Sequence, residues 1–342
     1  MYAFEYFDNI ESVPEAFFDM DQSSISSLYK TRTWLRVSQW RLGDQSYYIG
    51  IRERGNPIAL APMVTFRQPS DYSTTDPHLV ASKILKRDIT GTVNYCATLF
   101  GVGQPILHSS VNLEWDALLR VIRTAAWKRT GSHITVVGWF TSFDAIGDLS
   151  QQTMYGMLIA PENSLSILDL RDFQTFDDFL SSVPSKVRVS YRHDMKVAAQ
   201  ANITFRDVPG IELNPSELGV LATNVMEKYG NHVPPQRIES FIRKMSQATD
   251  IDSGAVMAFY EGKVIGFTLY LQVGSTLYAH TYGRSYEKDV PNPYFGLGYT
   301  TLITTALEHG ASYLNYGSGA GDTKKARGIA TVPAYAMVAD YF

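Results

Sequence analysis

One order of elements is written twice along this chain, and it constrains the fold more than any other feature. Residues 33–66 read as a helix, Trp34–Trp40, then a strand, Tyr47–Arg52, a turn through Arg54-Gly55-Asn56-Pro57, and a second strand from Ile58 to Thr65. Much further on, Ala255–Tyr260, a turn at Glu261-Gly262-Lys263 and Val264–Leu271 repeat the pattern. Strands of β-branched and aromatic residues around a glycine-containing turn mark a hairpin in each half. Each hairpin leads on to a helix and then an apolar strand: Leu113–Trp127 with Ile134–Trp139, and Gly298–His309 with Ser312–Tyr316. This alternation predicts an α/β (mixed α+β) chain of two tandem domains, each a mostly antiparallel mixed sheet covered by helices. The boundary is expected at Ala160-Pro161-Glu162-Asn163-Ser164, dividing 1–163 from 164–342. The stretch Asp71–Asp88 is polar and poorly periodic, which predicts an exposed or mobile loop.

Composition bounds the function classes. A chain of 342 residues, 45% hydrophobic and 19% charged, has room for two cores. Its formal charge of −4 supplies no global basic field, so any nucleic-acid contact would need a local patch. The single cysteine, Cys96, excludes an internal disulfide framework and any multi-cysteine metal site, and a reducing, cytoplasmic setting is the expectation. The N-terminus reaches Asp8 and Glu11 without a cationic head, unlike a secretory signal. No apolar run approaches the ~18 residues of a membrane span. Seven scattered histidines form no HExxH or i, i+4 pair, so no metal is expected.

The second half carries the candidate chemistry. Thr175 followed by Asp178 reads as a capping box. Past Pro184, Lys186, Arg188, Arg192 and Lys196 spread over a helix, the last three on one face at i, i+4 spacing. They form either a solvated face or a contact for phosphate, with Arg188 and Arg192 the stronger candidates. From Thr276 to Arg327 the chain runs strand, glycine-punctuated loop, helix, strand and cationic loop. Gly296 and Gly298 stand between a strand and a helix opening, where backbone N–H groups and absent side chains can cradle an anion such as a donor pyrophosphate. Tyr299 beside them either packs or offers its hydroxyl to a thioester or tetrahedral intermediate. Lys324 and Arg327 lie in the glycine-rich loop near Asp322, where long cationic side chains have little to pack against and would reach a donor phosphate or a developing oxyanion. The two-residue strand period places His280 and Tyr282 on one face, His280 as proton relay and Tyr282 as acid or positioning group. Cys96 has no cationic neighbourhood, and direct transfer without a covalent enzyme intermediate is expected.

The series Leu180-Ser181-Ser182-Val183-Pro184-Ser185-Lys186-Val187-Arg188, the basic helix behind it, Gly262-Lys263-Val264-Ile265-Gly266, Tyr294-Phe295-Gly296-Leu297-Gly298-Tyr299 and Gly321-Asp322-Thr323-Lys324-Lys325-Ala326-Arg327-Gly328 resembles the FemAB-like branch of the GNAT acyltransferase superfamily. The resemblance runs from about residue 165 to the end; the first half matches as the looser N-terminal GNAT-like domain of such tandem proteins. It implies two GNAT-like domains, the second of which takes an activated acyl group and passes it to an amine-bearing small molecule or peptide, forming an amide. The co-substrate it implies is an acyl-CoA, a carrier-protein thioester or, as in Fem-type relatives, an aminoacyl-tRNA; a carrier protein or tRNA is then a partner. A non-catalytic GNAT-like binding module is the rival from another class. The chain departs from the family pattern at Pro293, where GNAT donor loops carry Gln or Arg, and at Tyr294-Phe295-Gly296, where close relatives tend to carry His-Phe-Glu.

Overall fold

The computed structural model describes residues 2–19, 27–42, 45–69, 76–98, 103–109, 113–144 and 146–340. The chain forms two compact units, residues 1–165 with 332–342, and residues 166–331.

The first unit contains β1 (Tyr2–Phe7), α1 (Arg32–Leu42), β2 (Ser46–Glu53), β3 (Asn56–Phe66), α2 (Pro77–Leu85), β4 (Val93–Cys96), β5 (Leu107–His108), α3 (Trp115–Thr130), β6 (Ile134–Phe140), β7 (Thr153–Met154) and the start of β8 (Met157–Asp169). Its sheet runs β1-β2-β3-β4-β6 and then the last strand of the chain, Ala330–Asp340. Pairing is antiparallel except between β4 and β6, which α3 connects as a parallel crossover. The apolar face of α3, Leu118, Leu119, Ile122 and Ala126, is buried against Ile49, Ala61 and Val137 of the sheet.

The second unit continues from β8 through α4 (Phe176–Ser182), α5 (Ser185–Gln200), β9 (Thr204–Pro209), α6 (Pro215–Lys228), α7 (Pro235–Ser246), β10 (Asp252–Tyr260), β11 (Lys263–Val273), β12 (Thr276–Arg284), α8 (Thr301–Glu308), β13 (Tyr313–Asn315), α9 (Gly321–Lys325) and the start of β14 (Ala330–Asp340). Its sheet order is β8-β13-β12-β11-β10-β9, again antiparallel except for one pair, β12 with β13. The order hairpin, further strand, helix, parallel strand therefore occurs in both units, as β2-β3-β4-α3-β6 and β10-β11-β12-α8-β13. The two hairpins even share a turn: Arg54 and Gly55 have φ of 51° and 87°, Glu261 and Gly262 of 51° and 76°. Two consecutive residues at positive φ are what a two-residue hairpin turn with right-handed strand twist requires.

Two sequence expectations change, and two helices are added. Within Asp71–Asp88, residues 71–75 lie outside the described set, but Pro77–Leu85 is helical: Asp76 accepts from the His78 N–H at 2.9 Å, proline occupies the first turn, and Lys86 at φ 55° ends the helix. The helix escapes a periodicity reading because one face carries His78, Val80 and Ala81 inward, a narrow stripe with a polar residue in it. Residues 332–342 belong with the first unit rather than with 164–331, since Tyr335, Met337 and Asp340 pair with Phe140, Val137 and Ile134 of β6. Helices α6 and α7, unassigned by sequence reasoning, cover one face of the second sheet: a Cβ on Gly283 of β12 would meet the Ala222 amide nitrogen of α6 at 2.6 Å. The other face carries α4, α5 and α8 over Val256, Ile265 and Leu277.

Candidate active site in the second unit

The parallel pair β12/β13 is short. Thr276, Leu277 and Tyr278 pair with Tyr313, Leu314 and Asn315, after which β12 continues to Arg284 while the chain beyond β13 turns away. Four tyrosines meet where the strands part. Tyr282 lies on β12 past the last pair, and Tyr316 directly follows β13. Tyr294 and Tyr299 come from the first turns of the helical segment that becomes α8. Ring centroids run 5.1 Å from Tyr282 to Tyr294, 5.8 Å from Tyr294 to Tyr299 and 5.6 Å from Tyr299 to Tyr316, the last pair stacked at 22°. Tyr294 and Tyr299 exchange a long hydroxyl contact of 3.4 Å. The buried Tyr316 hydroxyl has no hydrogen-bond partner among the described residues, and the Tyr282 hydroxyl makes no bond of normal geometry, with the Arg284 side chain beside it.

Burial is the main cause that pushes the Tyr282, Tyr299 and Tyr316 phenols above their ordinary value, with the Arg284 charge opposing it at Tyr282. These groups therefore stay protonated near neutrality, so they can donate a hydrogen bond but cannot act as bases. An unpaired buried hydroxyl costs on the order of 1–3 kcal/mol, which a polar ligand atom in the opening would recover.

The entrance turn is built differently from its sequence pattern. Helix begins at Tyr294, and residues Gly296–Thr300 form one π-helical turn that passes into α8. Asn292 Oδ1 accepts the Tyr294 N–H at 3.1 Å. Gly296 is a packing glycine: an added Cβ would sit 2.2 Å from Phe205 Cζ of β9. Gly298 has nothing within 4 Å of its own missing Cβ, so this glycine leaves open space beside the backbone. Of the two, Gly298 is the one at which a ligand can approach.

The cationic residues are more constrained than a solvated loop would make them. Lys324 is buried on α9, and its Nζ donates to the carbonyls of Tyr316 (2.7 Å), Gly317 (3.3 Å) and Ser318 (3.4 Å). It ties down the turn that aims Tyr316, so the expectation of a free side chain in a surface loop is corrected. Burial draws its pKa down to about 8. Arg327 is also buried: it pairs with Asp194 of α5 at 2.9 Å, lies 4.2 Å over the Phe295 ring, and its carbonyl accepts the Tyr191 hydroxyl at 3.1 Å. Burial raises the Asp194 pKa, with Arg327 and then His193 opposing. Arg188 donates to the carbonyls of Leu180 (3.0 Å) and Ser181 (3.3 Å) and so closes the C-terminal end of α4, which its capping box of Thr175 and Asp178 opens. Lys186, Arg192 and Lys196 are exposed.

His280 and Tyr282 do not share a face. Leu269 pairs with Thr281 but Tyr270 pairs with Ala279, so His280 is the extra residue of a β-bulge. Ala279 and Tyr282 pack in the α8 cluster, whereas the His280 ring stacks on Phe241 of α7 at 4.8 Å and its Nδ1 meets Thr281 Oγ1 at 2.8 Å. The two-residue period fails at the bulge, and the imidazole lies on the sheet face opposite the tyrosines. Sequence reasoning missed Tyr294 and Tyr316 as site residues. Their signal was the density of tyrosine at 294, 299, 313 and 316 around a glycine-rich helix start. Cys96 is buried in the first unit, and burial pushes its thiol far up, away from nucleophile chemistry. Among the described residues no three His, Cys, Asp or Glu side chains gather as a metal site, and no helix is long and apolar enough to cross a membrane.

The chain belongs to the FemAB-like family, described as peptidoglycan biosynthesis/recognition, whose model matches residues 114–340. Its fold is shared with the C-terminal domain of a putative lysylphosphatidylglycerol synthetase from Agrobacterium fabrum (TM-score 0.59, 12% identity, covering 96% of this chain and 91% of that one). FemX (TM-score 0.57, 12% identity, 89% and 90% covered) and L-PGS from Bacillus licheniformis (0.55, 11%, 89% and 90%) are similar to it in the same way. At these identities the likeness establishes the fold. No curated protein matches the chain in sequence.

Proposed function

We propose that this protein is an aminoacyl or acyl transferase that moves the activated acyl group of a thioester or ester donor onto an amine, with its reaction centre where β12 and β13 part. The observation that carries this reading is the pair of buried hydroxyls without a hydrogen bond of normal geometry, Tyr282 on β12 past its last pair with β13 and Tyr316 directly after β13. Membership of the FemAB-like family supports it, as does a fold held in common with a protein named for joining lysyl and phosphatidylglycerol groups. The donor lies along the opening with its carrier portion against Gly298, and the acyl carbonyl faces the tyrosine hydroxyls.

In the transfer a neutral amine attacks the carbonyl carbon, forming the C–N bond and placing negative charge on the carbonyl oxygen. Collapse breaks the C–S or C–O bond to the carrier. Phenols held protonated by burial suit one task here, donating hydrogen bonds to the oxyanion without giving the proton up. The proton released from nitrogen passes to water and through water to the leaving sulfur or oxygen, since the imidazole of His280 is on the other face. Lys324 acts through the Tyr316–Ser318 turn as a positioning residue, and Arg327 fixes Phe295 at the helix entrance.

Hydroxylamine trapping tests this. The full chain is given an acyl-CoA, an acyl-phosphopantetheine carrier protein or an aminoacyl-tRNA, with hydroxylamine as a generic amine, and hydroxamate is measured. Turnover with one donor is expected, and its loss with ribonuclease assigns the tRNA ester. Tyr282→Phe and Tyr316→Phe should each lower kcat, by about 10²-fold for a hydroxyl serving the oxyanion, with KM little changed. Absence of product with every donor class overturns the reading in favour of a binding module.

A further inference from the structure

A cavity of about 870 Å³ opens on the first unit, well away in sequence from the tyrosine cluster. It lies at the C-terminal end of α3. Gly131, at φ 73°, stops that helix and turns the chain so that Ser132 and His133 come round beside Trp127. The indole of Trp127 is 43% exposed, a large area of aromatic surface for a helix position, and the His133 ring lies 6.0 Å away at 31°. Together they make a shelf. A Cβ on Gly91 or on Gly131, both lining residues, would meet nothing within 4 Å, so the walls are not packed shut by the chain itself.

The polar rim is rich in acceptors. Thr124 Oγ1 gives its proton to the Arg120 carbonyl at 2.8 Å, Thr130 Oγ1 to Ala126 at 3.0 Å, and Ser132 Oγ to Thr92. Their protons are committed to the backbone, and one lone pair is already taken at Thr130 by the Ser132 N–H and one at Ser132 by the Ile134 N–H, so Thr124 keeps two lone pairs and Thr130 and Ser132 one each. Asp340, the one acidic side chain of the lining, adds a carboxylate that Arg87 partly neutralises. Among the described residues the lining carries no lysine or arginine side chain to hold a phosphate or carboxylate ligand, and its acceptors match a ligand that brings hydroxyl donors. An exposed indole matches a ligand with a flat, weakly polar C–H face. Both demands are met by a pyranose.

We infer that this cavity is a binding site for a neutral pyranoside, seated on Trp127 with its hydroxyls donating to Thr124, Thr130, Ser132 and Asp340. The inference stands on the first unit alone and does not depend on the transferase reading.

The test is saturation-transfer NMR on the full chain with a panel of neutral pyranosides, each as a mono- and a disaccharide, and with AMP as a planar, anionic control. Transfer to the ring C–H protons of at least one pyranoside is expected, with no competition by AMP. Trp127→Ala should weaken binding by about tenfold or more, and Trp127→Tyr, which keeps an aromatic shelf and guards against loss of fold, should retain a substantial part of it. Asp340→Asn should weaken it less. The inference is overturned if no pyranoside shows transfer, if transfer is equal in a folded Trp127→Ala variant, or if AMP binds the shelf in place of the sugars.

Discussion

Gly296 and Gly298 stand two residues apart, and alanine at each should move stability in opposite directions. At Gly296 the new Cβ would lie 2.2 Å from Phe205 Cζ and 2.8 Å from both Cε atoms, well inside any real contact. Phe205 packs against the second-unit core, so its ring has to move as a body. Overpacking of this kind costs roughly 1–3 kcal/mol, of which helix propensity returns up to about 1 kcal/mol. At Gly298 nothing is met and φ is not left-handed, so alanine only restricts the unfolded chain and gains about 0.4–1 kcal/mol. The two variants should therefore differ by roughly 0.4–4 kcal/mol, with Gly296→Ala the less stable. Calorimetric and urea unfolding of the full chain measure this; equal stabilities, or a destabilised Gly298→Ala, refute the assignment of packing to one glycine and open space to the other. Gly298→Val then fills the approach itself. Calorimetry with the donor that supports hydroxamate formation should show weakened binding in a folded protein, and unchanged affinity would place the donor elsewhere.

Lys324→Met removes the donor that holds three carbonyls of one turn, and urea unfolding should show a loss of about 2 kcal/mol together with a lower kcat; a stability within error of wild type would show that the tie is idle. The same side chain gives a pH signature. Its folded pKa of about 8 is below the unfolded 10.5, so the folded chain gives up this proton first, and the Lys324 contribution to stability increases as pH rises through that window. It is lost again as pH falls through about 8, and Lys324→Met should flatten this part of the stability profile. Asp194→Ala leaves the Arg327 guanidinium buried over Phe295 without its carboxylate; a cost of roughly 3 kcal/mol is expected in unfolding experiments, and a loss below about 0.5 kcal/mol would show the pair to be solvated in solution.

Much of the architecture was legible because it is carried by local signals. Arg54-Gly55 and Glu261-Gly262 are turn chemistry, Thr175 with Asp178 is a cap, and α3 and α8 carry 3.6-residue apolar faces. Such features are decided by a few neighbouring residues, so one sequence states them. The pairing of Tyr335, Met337 and Asp340 with β6 is a different matter: nothing local to residues 330–340 says which of two sheets a strand of that composition will join. The same holds for the cationic loop. Lysine and arginine among glycines read as solvated, yet Lys324 is buried because the turn after β13 presents three carbonyls to one point, an arrangement that exists only once β13, α9 and the loop between them have folded.

The candidate site was half legible for a related reason. Composition placed tyrosines and glycines near the helix entrance, and Tyr299 was found by that route, whereas Tyr282 came from the strand period that set it beside His280. Their relation to His280 could not be, because a single inserted residue decides it. Without the bulge, His280 and Tyr282 share a face and the pair would read as a base beside an acid. With it, β12 turns Tyr282 toward α8 while His280 stacks on α7, so the tyrosine donors of the proposed reaction centre are without that imidazole as a base. That asymmetry has a chemical consequence. An amine entering such a site must already be neutral, so the rate of transfer should rise with pH up to the pKa of the acceptor amine itself, and the midpoint should move with the amine chosen. Measured with two amines of different basicity, hydroxamate or amide formation that titrates at one fixed pH instead would reveal a base supplied by the protein, and would return His280 to the mechanism.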